Sequence, residues 1–280
     1  MRKKSFCMAL IGAVWLISSS AYALTTCNSP IVVSASTTLT LNDDYHQDGS
    51  LSLDPCFQLQ NGATLDLNGH TITRDFDTGV SDAAIECLST GTTVTDGANV
   101  KGVVKGEGWT VGILDCENVI DVTVDGGGND GTGLGWITYG IYNPNNAADN
   151  HSNNVVLRTT QGMIITAGFI DSNSTCSNNS FADVSSPIIV TGSASSPGAL
   201  VENNVIRTFG YRAITKSGTN YIRVRKNLID SDGRDPFYDG EPCLDINATH
   251  STVTENYCDC VDAFSAPQCP IDLPYALQWF

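Results

Sequence analysis

The residues best suited to chemistry crowd into one region. Seven basic side chains, Arg207, Arg212, Lys216, Arg223, Arg225, Lys226 and Arg234, fall within 28 positions. They run into an acidic stretch, D-S-D-G-R-D-P-F-Y-D-G-E-P-C-L-D, at 230–245. Paired carboxylates act as acid and base in glycoside hydrolysis, and Asp230, Asp232 and Asp235 are candidates for that pair. Closely spaced carboxylates also suit Ca²⁺, with Asp232, Asp235 and Asp239 as its ligands. Arg212, Lys216, Arg234 and Tyr238 would then hold a substrate. A basic patch beside a carboxylate-rich loop suits an acidic sugar polymer. The plainer reading is a surface ion-pair network, which contributes little energetically.

A second candidate lies at 125–142, D-G-G-G-N-D-G-T-G-L-G-W-I-T-Y-G-I-Y. Trp136, Tyr139 and Tyr142 can stack against the apolar face of a pyranose, or they can simply cap a core. The Gly-Gly-Gly-Asn-Asp segment has the composition of one Ca²⁺-binding nonapeptide unit, but such sites need tandem copies and only one is present. A turn explains it as well.

Composition bounds what can carry these side chains. Residues 1–23 read as a signal peptide: Arg2, Lys3 and Lys4, an apolar run Cys7 to Ile17, and Ala21-Tyr22-Ala23 before the cleavage point. The expected mature chain is secreted or periplasmic, with no membrane insertion after cleavage. Of 14 basic residues 3 leave with the signal, so the balance becomes 11 − 30 = −19. Such a charge repels nucleic acid and anionic membranes. Short Val/Ile/Thr runs punctuated by Gly, Asn, Asp and Ser indicate an all-β chain.

Nine cysteines follow the signal, and in an oxidising compartment most should pair. Cys27 and Cys56 are 29 apart, as are Cys87 and Cys116, which suits bridges between neighbouring coils of a repeat. Cys243, Cys258, Cys260 and Cys269 are expected to staple the C-terminal end, and Cys176 is the thiol left over.

The repeat shows in the asparagines. C-S-N-N-S-F, V-E-N-N-V-I, V-R-K-N-L-I and V-T-E-N-Y-C align on Asn179, Asn204, Asn227 and Asn256, with steps of 25, 23 and 29. A second frame, with Asn before a strand, links segments beginning near Asn99, Asn118, Asn153 and Asn220, and does not merge with the first. Periods in the twenties with short strands indicate a solenoid, in which stacked neighbours supply the core. In the coil around Asn227, Ile222, Val224 and Ile229 should point inward, and Arg223, Arg225 and Asp230 outward. N-G-A-T-L-D-L-N-G-H-T-I-T at 61–73 contains an Asn-Gly pair that ordinarily signals a hairpin. In a solenoid the same pair becomes a corner, because Asn tolerates left-handed backbone geometry.

L-D-L-N-G-H-T-I and the recurrent Asn-x-Ile/Val units resemble the right-handed parallel β-helix superfamily typified by pectate and pectin lyases. The resemblance covers about residues 51–262, with 24–50 as an N-terminal cap and 263–280 as a C-terminal cap or tail. It implies an exported protein that binds, and cleaves or modifies, an acidic polysaccharide. Its β-elimination chemistry would make Arg223 or Arg225 the base, with Ca²⁺ neutralising the substrate carboxylate. The alternative is a non-catalytic adhesin or glycan-binding spacer. The Gly-His-Gly, Asp-Asp, Asp-Pro-His and Trp-Ile-Asp-His motifs of the related enzymes are absent: Asp235-Pro236 is followed by Phe237.

Overall fold

The computed structural model describes residues 24–48, 54–74, 81–106, 108–127, 137–143, 149–167, 174–192, 198–218, 221–230, 243–246 and 250–259. The described chain is an all-β parallel solenoid: 28 short strands in three sheets of 10, 9 and 9, every pairing parallel. We call the ten-stranded sheet A (Thr25–Thr26 to Tyr257–Asp259). Sheet B runs from Ile31–Val33 to Leu244–Asp245, and sheet C from Thr38–Thr40 to Ser251–Thr254. Each coil passes from B to C to A. Among the described residues no helix is long and apolar enough to cross a membrane.

The Asn68-Gly69 pair is a corner. Thr64–Asp66 lies in sheet C and Thr71–Arg74 in sheet A, so the two strands do not pair with each other. Asn68 and Gly69 have φ of 48° and 79°, and the His70 N–H donates to the Leu67 carbonyl at 2.8 Å. Strand alternation sends Leu65, Leu67 and Ile72 into the bore, where all three are fully buried. The expected inward set Ile222, Val224 and Ile229 is buried as well, and Arg225 is exposed. The core is one column of such aliphatics running the length of the molecule.

The C-to-A corner is tight, and buried asparagines line it. Asn154, Asn179, Asn204, Asn227 and Asn256 stack, each backbone N–H donating to the next Asn Oδ1 at 2.9–3.0 Å. Their Nδ2 groups donate to carbonyls of an earlier coil, as Asn204 does to Cys176 at 2.9 Å. The residue before each is left-handed, φ 55–59°, a geometry that costs little here because the side-chain bonds hold it. Asn154 belongs to this ladder and not to the frame containing Asn118, which pairs with Asn150 at the start of sheet C strands. An Asn before an aliphatic run occurs at more than one corner, so residue type alone merges them.

Two disulfides lie towards the N-terminal end, Cys27–Cys56 and Cys87–Cys116, as the spacing predicts. Cys243 and Cys258 are also disulfide-bonded. Cys176 is free and buried. Cys260 and Cys269 lie outside the described residues.

Candidate functional site

Sheet B is built on a tripeptide of a small residue, an aliphatic or aromatic one, and an outward one. It reads Cys56-Phe57-Gln58, Ala84-Ile85-Glu86, Gly112-Ile113-Leu114, Gly140-Ile141-Tyr142, Gly162-Met163-Ile164, Pro187-Ile188-Ile189, Ala213-Ile214-Thr215 and Cys243-Leu244-Asp245. The middle residues pair in register and fill the bore. The first must be small, because a Cβ on Gly140 would sit 2.6 Å from the Gly162 carbonyl and 2.8 Å from Val156. The third residues form an outer column: Gln58, Glu86, Leu114, Tyr142, Ile164, Ile189, Thr215 and Asp245. Its middle is apolar or aromatic and its ends are polar. Gln58 Nε2 donates to Glu86 Oε2 at 2.9 Å, and Arg212 pairs with Asp245 while its guanidinium lies 4.6 Å from the Tyr211 ring centroid.

Both expected insertions are connections from sheet A to sheet B, and the sheet B strands that follow them are four strand steps apart. The first joins Thr123–Asp125 of sheet A to Tyr139–Tyr142 of sheet B; the second joins Leu228–Asp230 of A to Leu244–Asp245 of B. Tyr139 and Tyr142 come together, ring centroids 4.9 Å apart and planes 21° from parallel, both partly exposed. Because they stack on each other, the pair presents ring edges, hydroxyls and its outer faces, not a flat floor.

The basic cluster is divided. Arg223 and Arg225 stand on sheet C, Asp230 on sheet A, and Arg212 and Lys216 at either end of a sheet B strand. Arg225 Nε pairs with Glu202 at 2.8 Å. Lys216 turns inward, 6 % exposed, and donates to Ser251 Oγ at 3.1 Å; burial lowers its pKa. Asp232, Asp235, Asp239, Arg234, Tyr238 and Trp136 lie outside the described residues. Among the described residues no group of three His, Cys, Asp or Glu converges to hold a metal.

The two carboxylates of the sheet B column cannot work as a hydrolytic pair. Glu86 and Asp245 are six strand steps apart, about 29 Å at the usual strand spacing, where such pairs stand about 5–10 Å apart. On the described surface the tyrosine pair stands in a column that is apolar in its middle, where Ile164 is buried, and polar at both ends. The tripeptide that builds this column recurs in the sequence, but the asparagine frames overshadow it. No family model matches this chain, and no curated protein sequence matches it.

Proposed function

We propose that this chain is an exported glycan-binding solenoid of the right-handed pectate and pectin lyase-like kind, which holds a polysaccharide on the exterior of sheet B without cleaving it. The observation carrying this reading is the stacked, partly exposed Tyr139–Tyr142 pair on sheet B, on the strand that follows the first insertion. Sugar rings would pack on the outer tyrosine faces, with hydroxyl partners at Gln161 and Ser186, which pair in register beside Tyr139.

The enzyme reading has two forms: β-elimination with Ca²⁺ on Asp232, Asp235 and Asp239, and hydrolysis on Asp230, Asp232 and Asp235, of which only Asp230 is a described residue. The bases of the first form, Arg223 and Arg225, stand on sheet C, and Asp230 of the second stands on sheet A. The test is binding of the mature chain to pectate, alginate and neutral glycans, with and without Ca²⁺. Tyr142→Ala should weaken retention about tenfold, the size expected for a lost stacking contact, and leave the unfolding temperature unchanged. Retention unaffected by Tyr139→Ala and Tyr142→Ala removes this site. Release of reducing ends or of unsaturated uronates revives the enzyme.

A further inference from the structure

The bore holds a group of soft ligand atoms that packing alone leaves unexplained. His151, Met163 and Cys176 all point inward and are fully buried. His151 and Cys176 are register partners on adjacent strands of sheet C. Cys176 Sγ lies 3.7 Å from Met163 Sδ. Cys176 is the free thiol among the described residues, and Met163 is the only methionine beyond residue 23.

The histidine supplies the independent observation. Its Nε2 lies 3.3 Å from the Cys116 carbonyl, a contact that requires the proton on Nε2. That tautomer leaves a lone pair on Nδ1, and Nδ1 is buried with no hydrogen-bond partner. A ring fixed through one nitrogen by a backbone carbonyl, with the other free, is the arrangement of a metal-ligating histidine. Beside it, Asn179 Nδ2 donates to Cys176 Sγ at 3.4 Å, and Cys176 Sγ lies 3.8 Å from Asn204 Oδ1.

We propose that His151 Nδ1, Met163 Sδ and Cys176 Sγ form a buried three-coordinate site for Cu(I). Thiolate and thioether sulfur suit this soft ion and not calcium or magnesium, and imidazole completes the set. Binding exchanges the thiol proton for the metal: the S–H bond breaks, an S–Cu bond forms, and one proton goes to solvent. Copper stays in its +1 state, so no electron is transferred. The thiolate and Cu(I) neutralise each other, which removes the cost of placing an isolated charge in the bore.

The full mature chain is incubated anaerobically with Cu(I), and in a second arm refolded in its presence, then challenged with a strong Cu(I) chelator. Native mass spectrometry should find one copper retained per chain in at least one arm. Met163→Leu, which conserves volume, and Cys176→Ser should each lower retention about tenfold or more. X-ray absorption should report two sulfur neighbours and one nitrogen. If Cys176→Ser fails to fold, Met163→Leu decides. The proposal is overturned by loss of copper to the chelator in both arms. It is equally overturned by undiminished retention in Met163→Leu, or by a nitrogen- and oxygen-only shell.

Discussion

His151 shows how one inward position ties stability to pH. Burial holds its pKa near 4 against an ordinary 6.5, so between those values the unfolded chain binds a proton that the folded chain refuses. Stability is therefore level above pH 6.5 and falls as pH drops towards 4, by up to about 3 kcal/mol in the metal-free protein. Denaturant unfolding from pH 7.5 to 4.5 should show this slope, and His151→Gln should lose it; an unchanged slope would clear His151 of the effect. Tyr142 carries the corresponding functional expectation, a tenfold loss of glycan retention at constant stability. Neither role can be read from residue type, because an outward tyrosine and an inward histidine differ only in strand parity.

At the scale of elements, the asparagine ladder is what makes the C-to-A corner tight. Asn204 accepts from the Asn179 N–H and Nδ2, and donates to Cys176 and Asn227. Asn204→Ala would leave the buried Asn179 backbone N–H without its acceptor and remove the side-chain bond to the Cys176 carbonyl, at a cost of about 3 kcal/mol. Asn256, the last rung described, still donates to Val224 but serves one neighbour, so Asn256→Ala should cost about half as much. Equal losses in chemical denaturation would mean that the rungs do not support one another. Four of these rungs are legible as a repeat, since each Asn follows one strand and immediately precedes the next. The fifth, Asn154, is not, because Asn118 before its own strand presents the same local pattern.

Across the whole molecule, stability should be distributed unevenly. Each coil touches mainly its neighbours, so a solenoid behaves as a chain of local contacts. The described asparagine rungs occupy the region from Asn154 to Asn256, while the Cys27–Cys56 and Cys87–Cys116 bridges hold the opposite end. Each bridge closes a 29-residue separation, which corresponds to about 3.5 kcal/mol of unfolded-chain entropy. Replacing all four cysteines by serine should speed amide exchange through residues 24–120 and leave the rungs from Asn179 to Asn227 protected. Uniform acceleration would show a single cooperative unit instead.

The strand-corner period, the inward aliphatics and the two 29-residue cysteine pairs were sufficient, from sequence alone, to specify a parallel solenoid and its N-terminal bridges. All are local or nearest-neighbour properties, repeated often enough to be unambiguous. Which side chains share a face was settled only by the three-sheet coil. Lys216, Arg223 and Asp230 are close in sequence yet occupy three sheets, because the backbone turns a corner between each. Glu86, Tyr142 and Asp245 are far apart in sequence yet share one column, because parallel stacking makes a neighbour of the residue one coil away.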